Sequence, residues 1–186
     1  MVNVGGGLGI AYTAEDEPPT IDSYVEVKVR GVADVFGEGV RILVEPGRSL
    51  VGNAGITAYR VGTVKEIPGV RTYVAVDGGM SDNMRPMLYG SRYEALIADR
   101  AGAAPDTLAT IAGMHCESGD VIVRDAMLAA PAVGDVLVTA ATGAYGHAMA
   151  SNYNGVPRPP VVFCREGDAR VVVRRETYED LTARDA

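Results

Sequence analysis

The fold is decided by two β-rich runs in the middle of the chain, Ile56-Thr57-Ala58-Tyr59-Arg60-Val61 and Arg71-Thr72-Tyr73-Val74-Ala75-Val76. Both are rich in β-branched and aromatic residues, which is typical of strands. Similar runs recur downstream at Val121-Ile122-Val123, Asp135-Val136-Leu137-Val138, Val161-Val162-Phe163 and Arg170-Val171-Val172-Val173. Short strands between turn signals predict an all-β unit, either a sandwich or a barrel.

A different pattern precedes these strands. Val2-Asn3-Val4 predicts a short buried strand, residues 20–38 predict a helix capped by Thr20 or Asp22, and Arg41-Ile42-Leu43-Val44 predicts a second buried strand. Strand, helix, strand is one α/β unit with parallel pairing. Because one unit cannot cover both faces of a parallel sheet, we expect the α/β domain to be incomplete within these residues.

These patterns divide the chain into three parts. Residues 1–48 form the end of an α/β domain, residues 49–175 form a β domain, and residues 176–186 form a terminal helix and tail. Thr177 is a plausible cap for that helix.

The composition argues against several classes of partner. A formal net charge of −7 leaves no basic stripe to neutralise nucleic-acid phosphates. No apolar run approaches the roughly 20 residues that span a bilayer, and no secretion signal is recognisable. Cys116 and Cys164 form no disulfide framework, and His115 and His147 lie in no metal-ligand spacing. We therefore expect a cytoplasmic protein without metal, membrane or nucleic acid.

Gly5-Gly6-Gly7-Leu8-Gly9 follows the first strand. Consecutive glycines let backbone N–H groups approach an anion such as phosphate, because no Cβ obstructs them. The dinucleotide fingerprint fails because Ile10 stands at its last glycine. A tight, closely packed turn is the alternative reading, and the motif alone favours it.

Glu45-Pro46-Gly47-Arg48 lies at the carboxyl end of its strand, where parallel α/β folds place their chemistry. The Arg48 guanidinium can hold a carboxylate or phosphate through two hydrogen bonds. The Glu45 carboxylate can pair with a protonated ring nitrogen. A local salt bridge beside a Pro-Gly turn is the simpler alternative.

Residues 76–90 form a long irregular segment that holds Arg85 and Tyr89. Loops of this size are often functional, and these side chains can bind a carboxylate. A surface arginine and a tyrosine packed on the core are the alternative. Further on, Tyr145 is exposed by its flanking glycines for contact with a phosphate or ring, whereas Tyr153 is interpreted as structural.

Cys116-Glu117-Ser118-Gly119-Asp120, preceded by His115, places a thiol beside a carboxylate. A proton donor needs access and a tuned pKa. The polar neighbours of Cys116 oppose deep apolar burial, although a buried inert cysteine is the common alternative. His115 can tune the thiol, but adjacent side chains on an extended backbone point to opposite faces.

In this order and spacing, the motifs resemble the fold-type III pyridoxal-phosphate-dependent decarboxylases. The sequences CESGD (116–120), LYGSRYEAL (88–96) and MASNYNG (149–155) look most like the diaminopimelate decarboxylase family. Ornithine decarboxylases are similar but tend to carry an aspartate after the cysteine. The resemblance implies α/β + β architecture: the tail of a (β/α)8 TIM-type barrel, then a β-barrel or sandwich domain of the alanine racemase/decarboxylase type.

The resemblance also implies a reaction, the conversion of meso-2,6-diaminopimelate to L-lysine and CO2 with pyridoxal 5'-phosphate. The implied cofactor-binding residues are Gly5, Gly6, Gly7, Glu45, Pro46, Gly47, Arg48 and Tyr145. The implied substrate-binding residues are Arg48, Arg85, Tyr89, Glu117 and Tyr145. Glu45 would face the pyridine nitrogen, Glu117 would recognise the distal ammonium, and Cys116 would protonate the carbanion. In this family the Cys-Glu loop serves the partner subunit, which implies a homodimer with shared active sites.

The chain departs from the family in one respect. Family members bond the cofactor through a lysine on an early barrel strand, and neither Lys28 nor Lys65 matches that position. We expect a fragment whose barrel cannot close and which is inactive by itself. Two alternatives stay open: a non-catalytic β-domain module that assembles with or complements another chain, and a decarboxylase of ornithine, arginine or a carboxylated polyamine.

Overall fold

The computed structural model describes residues 1–186. Its strands are β1 Val2–Asn3, β2 Ile42–Leu43, β3 Thr57–Ile67, β4 Arg71–Val76, β5 Ala95–Ile97, β6 Thr107–Ala112, β7 Val121–Leu128, β8 Val136–Thr139, β9 Val161–Arg165 and β10 Asp168–Val173. Its α-helices are α1 Ile21–Phe36, α2 Gly47–Val51, α3 Arg85–Tyr89, α4 Gly146–Met149 and α5 Tyr178–Thr182.

The amino-terminal residues form the predicted strand–helix–strand unit. β1 pairs with β2 in parallel, and α1 lies between them in sequence. Thr20 caps α1, because its side-chain oxygen accepts a hydrogen bond from the backbone N–H of Ser23 at 3.2 Å. The helix ends at Gly37, whose φ of 80° a residue with a Cβ rarely adopts. The unit brings the glycine loop and the Glu45 turn to the same edge.

The predicted β unit is a six-stranded sheet in the order β5-β8-β3-β4-β6-β7. Only the β4–β6 pair is parallel. β5 and β7, at the two edges, also contact each other, so the sheet is a nearly closed barrel. Apolar side chains fill its interior, and among the fully buried ones are Val61, Val74, Ile97, Ile111, Ile122, Leu128 and Leu137.

Two strands of this barrel escaped sequence prediction. β5 and β6 belong to none of the runs recognised in the sequence, although β6 lies between β4 and β7 in the sheet. The irregular segment at residues 76–90 also contains a short helix, α3. The remaining predicted strands are confirmed, and four of them, β3, β7, β9 and β10, are longer than their sequence runs. β1 and β2 are shorter than predicted, and they are partly exposed instead of buried.

The last predicted strand pair, β9 and β10, forms a separate two-stranded antiparallel sheet and does not join the barrel. Its turn contains Glu166 and Gly167, both with positive φ. The terminal helix α5 is confirmed, and Thr177 and Asp180 form a capping box at its start. No helix combines the length and apolar character needed to cross a bilayer.

Candidate functional site

The glycine loop lies directly against the Glu45 turn. The Glu45 N–H donates to the Gly5 carbonyl at 2.9 Å, and a Cβ on Gly6 would lie 2.3 Å from the Glu45 carbonyl oxygen. Close packing therefore explains Gly6, while Gly5 and Gly7 have positive φ and open space beside them. The N–H groups of Gly6 and Gly7 donate to no acceptor in the chain, so they can bind an anion.

The Glu45 turn leads into α2, which carries Arg48. A second loop locks onto this helix: the Gly143 N–H donates to the Gly52 carbonyl at 3.0 Å, and a Cβ on Gly143 would lie 1.9 Å from the Val51 carbonyl oxygen. The same loop presents Tyr145 in a left-handed conformation (φ 68°) with 47% of its surface exposed. Left-handed conformations of non-glycine residues often mark functional sites.

Two arginines lie within cation–π distance of the Tyr145 ring. The guanidinium carbons of Arg48 and Arg85 are 5.8 Å and 5.7 Å from the centre of its ring. Arg48, Arg85, Tyr89, Tyr145 and Met149 line a cleft of ≈ 250 Å³. The four polar residues of this set were candidates from sequence, so the fold brings together residues that are up to 97 positions apart in the chain.

Arg85 is held by tyrosines instead of acids. Its guanidinium lies 5.4–5.7 Å from the ring centres of Tyr12, Tyr89 and Tyr145, and its Nε donates to the Tyr93 hydroxyl at 3.1 Å. Tyr12 and Tyr93 pack edge to face, with ring centres 5.3 Å apart. Cation–π contacts of this kind fix the planar guanidinium without neutralising its charge.

Neither arginine of the cleft forms a salt bridge in the structure. The Arg48 Nε is buried and has no hydrogen-bond partner. A buried donor without a partner is costly, and two positive charges facing one cleft favour an anion. The cleft can therefore bind carboxylate or phosphate oxygens.

Cys116 and Glu117 lie on a separate turn and do not line this cleft. Cys116 is an exposed free thiol, so the buried-cysteine alternative is wrong. His115, its neighbour, is buried with 8% of its surface exposed. The Tyr153 hydroxyl donates to the Glu117 carboxylate at 2.7 Å, and this hydrogen bond raises the pKa of Tyr153. Tyr153 was interpreted from the sequence as structural. The structure shows that it also contacts Glu117, a candidate site residue.

The two lysines of the chain, Lys28 and Lys65, lie away from the cleft. The Lys28 Nζ donates to the Val4 carbonyl at 3.2 Å and lies over the Tyr24 ring, so it fastens α1 to β1. Lys65 lies in β3 opposite Tyr73. Neither lysine lines the cleft. No group of three or more His, Cys, Asp or Glu side chains is arranged to hold a metal ion.

Comparison with known proteins places this arrangement in a family. The model of the pyridoxal-dependent decarboxylase C-terminal sheet domain matches residues 12–143, well over half of the chain. The chain belongs to the pyridoxal-dependent decarboxylases. The matched range contains the six-stranded sheet, Arg48, Arg85 and the Cys116–Glu117 turn.

Individual members of the family are similar over the whole chain. Diaminopimelate decarboxylase of Bacillus subtilis (strain 168) is 53% identical over 189 residues, covering 100% of this chain and 43% of the relative. The enzyme of the same name from Synechocystis sp. is 49% identical, covering 99% of this chain and 40% of the relative. The crystal structure of diaminopimelate decarboxylase from M. jannaschii in complex with L-lysine superposes with a TM-score of 0.86 at 37% identity, covering 99% of this chain and 42% of that one.

The chain thus spans less than half the length of the curated relatives it matches. Within that span the sequence motifs found most of the cleft. Sequence analysis missed Tyr12 and Tyr93, because a lone tyrosine carries no signal of its own. The only available cue for Tyr93 was its place four residues after Tyr89 in the LYGSRYEAL segment.

Proposed function

We propose that the chain is the C-terminal portion of a diaminopimelate decarboxylase, which converts meso-2,6-diaminopimelate to L-lysine and CO2. The observation that carries the proposal is the pair of arginines without acidic partners that lie close to the Tyr145 ring and line one cleft. A substrate with an amino-acid group at each end needs such a carboxylate site together with an acidic group for its distal ammonium. Similarity to diaminopimelate decarboxylases over the whole chain supports this substrate.

In this proposal the cofactor is pyridoxal 5'-phosphate. The free N–H groups of Gly6 and Gly7 and the unpaired Nε of Arg48 fit a phosphate. Gly5, Pro46 and Gly47 would shape this edge of the site, Glu45 would pair with the protonated ring nitrogen, and Tyr145 would contact the ring. When bound, the cofactor supplies an electron sink for the electrons of the departing carboxyl group.

The substrate contacts follow from the charges. The Arg48 and Arg85 guanidiniums bind the distal carboxylate, and the Tyr89 and Tyr145 hydroxyls add hydrogen bonds. Glu117, held by Tyr153, binds the distal ammonium. Cys116, whose thiol is exposed, delivers the proton to the carbon that has lost CO2.

The position of the Cys116–Glu117 turn outside the cleft supports a homodimer in which this turn completes the site of the partner subunit. We assign residues 1–48 to the tail of a TIM-type barrel, residues 49–175 to the β domain and residues 176–186 to a terminal helix. Support for the barrel assignment comes from α1, where Val25, Val27 and Val29 are 43–59% exposed and apolar. The lysine that bonds the cofactor would come from protein outside these residues, and the enzyme would act in the cytoplasm.

The test is turnover by the full-length natural protein. With pyridoxal phosphate present, it should release CO2 and L-lysine from meso-diaminopimelate and act far more slowly on ornithine. Preference for ornithine would shift the proposal to that substrate, and inactivity on both would favour a non-catalytic module. Cys116→Ala should lower kcat by about 10²–10⁴-fold, the usual contribution of a general acid. Cys164→Ala, at an exposed thiol on β9, is the matched control and should leave kcat unchanged.

A further inference from the structure

A buried carboxylate lies beneath the Cys116–Glu117 turn. Asp120 has only 3% of its surface exposed. One carboxylate oxygen accepts the Met80 N–H at 2.7 Å, and the other accepts the His115 N–H at 2.9 Å. The side chain therefore joins the turn to a loop far away in sequence.

Two glycines, Gly79 and Gly113, leave the space that the Asp120 carboxylate occupies. A Cβ on Gly79 would lie 2.5 Å from a carboxylate oxygen of Asp120, and a Cβ on Gly113 would lie 2.1 Å from one. Distances this short are not tolerated between atoms of a folded protein, so any larger residue at either position would displace the carboxylate. The space is shaped for the side chain of Asp120.

Further contacts fasten the same two loops. The Met114 N–H donates to the Gly78 carbonyl at 2.8 Å, and the His115 ring nitrogen Nε2 lies 2.9 Å from the hydroxyl oxygen of Ser81. Both His115 and Ser81 are buried. The inner side of the turn is thus fixed at several points, while its outer side presents Cys116 and Glu117 to solvent.

The backbone of the turn closes on Asp120 as well. Its N–H donates to the Glu117 carbonyl at 3.1 Å, its carbonyl accepts the Gly113 N–H at 2.9 Å, and the Glu117 N–H donates to the His115 carbonyl at 2.8 Å. Because the carboxylate holds the His115 N–H at the start of this closed turn, its loss removes one of the anchors of the turn and lets the intervening residues shift.

We propose that Asp120 is a positioning residue that holds the thiol of Cys116 and the carboxylate of Glu117 in one fixed arrangement. The proposal rests on the decarboxylase function proposed above. Asp120 is buried and its carboxylate is occupied by backbone N–H groups, so its proposed role is to position other groups. It acts by tying the turn to residues 78–81, and Gly79 and Gly113 are required because they leave room for its carboxylate.

The decisive variant is Asp120→Asn in the full-length enzyme. The amide keeps the size of the carboxylate but turns an NH2 group toward one of the two N–H donors. We expect kcat on meso-diaminopimelate to fall about tenfold, which corresponds to the loss of about 1.4 kcal/mol, and KM to rise because Glu117 is displaced. A purely structural role would reduce the amount of folded enzyme and hence the apparent kcat, but would leave KM unchanged.

Thiol labelling gives a readout that does not depend on turnover. Iodoacetamide modification of Cys116 should become about three- to tenfold faster in Asp120→Asn, because the turn opens and the thiol is no longer held in one position. Cys164, an exposed thiol on β9, is the reference within the same molecule, and peptide mass spectrometry reports both rates. General unfolding would accelerate both thiols.

The matched control is Asp106→Asn, in which another carboxylate that accepts a backbone N–H, that of Ala130 at 2.8 Å, is changed away from the turn. It should alter neither KM nor the labelling of Cys116. If Asp120→Asn does not fold, Gly79→Ala decides, because it displaces the carboxylate without removing it and should give the same changes. Unchanged KM and unchanged Cys116 labelling in the folded variant overturn the positioning role. A wild-type enzyme that prefers another substrate overturns the proposed function instead, and leaves the labelling result valid.

Discussion

Replacing Asp82 with Asn should stabilise the protein at neutral pH. Burial, together with the nearby charge of Asp120, raises the pKa of the Asp82 carboxyl to about 6, against the lowering effect of backbone N–H donors such as that of Gly79. The Gly79 N–H lies 2.8 Å from a carboxylate oxygen. An Asn side-chain oxygen can accept the same hydrogen bond, so the substitution removes the charge and keeps this contact.

The magnitude follows from the pKa. It rises from 3.8 to about 6 on folding, and each pKa step corresponds to about 1.36 kcal/mol, so ionised Asp82 costs the folded state about 3 kcal/mol at pH 7.5. The change of stability with pH therefore has the opposite sign to that produced by a salt-bridged carboxylate, whose pKa is lowered on folding. Because the folded pKa is the higher one, stability falls as the pH rises from 3.8 through 6, and roughly half of the cost is already present at pH 5.

The assay is urea unfolding of the full-length wild type and Asp82→Asn at pH 5 and pH 7.5. The gain in the free energy of unfolding should be larger at pH 7.5 by about 1.4 kcal/mol. Asp77→Asn is the matched control, since the exposed Asp77 also accepts a backbone N–H, that of Arg60 at 2.7 Å. A gain that is absent at pH 7.5, or equal at both pH values, would refute the reasoning.

Three further predictions concern the two clusters of the candidate site. Arg85→Lys keeps the charge but loses the fork that binds a carboxylate, so KM for meso-diaminopimelate should rise about 10–100-fold; an unchanged KM would remove Arg85 from substrate binding. Tyr153→Phe frees the Glu117 carboxylate and should raise KM about threefold with little change in kcat, and in Glu117→Gln the pKa of Tyr153, followed by ultraviolet absorbance, should fall. Gly143→Ala places a methyl group 1.9 Å from a carbonyl oxygen of α2, so it should displace Tyr145 and lower kcat/KM; full activity would show that this loop tolerates movement.

The parts of the fold that the sequence predicted are those with strong local signals. The run at residues 71–76 coincides with β4, and Thr20 marks the start of α1. β6 was missed because its sequence, Thr107-Leu108-Ala109-Thr110-Ile111-Ala112, contains two alanines, which favour helices. It is a strand because it pairs on both sides and its Ile111 is fully buried, which no local pattern reveals.

The candidate site was predictable where a motif carried two chemical groups at once. Arg48 and Arg85 were found in this way, although their meeting across Tyr145 depends on the contact between two loops. Tyr12 and Asp120 were not assigned roles, because their importance lies in the side chains that the fold brings to them: the guanidinium of Arg85 for one and two backbone N–H groups for the other.

Glycine contacts build both halves of the candidate site in the same way. Gly55 and Gly143 touch so closely that a Cβ on Gly55 would lie 2.3 Å from the Cα of Gly143, and this contact sets Tyr145 over Arg48. Gly79 and Gly113 do the same for the carboxylate of Asp120. In each half, glycines without a side chain allow a close approach, of another backbone at Gly55 and Gly143 and of the Asp120 carboxylate at Gly79 and Gly113. The close contact fixes the neighbouring loop, which carries an exposed functional group. Since these contacts need no ligand to form, the fold itself shapes both clusters. In the proposed dimer, where one subunit supplies the cleft and the other supplies the Cys116–Glu117 turn, a substrate would lose less freedom on binding than one that must order the loops itself.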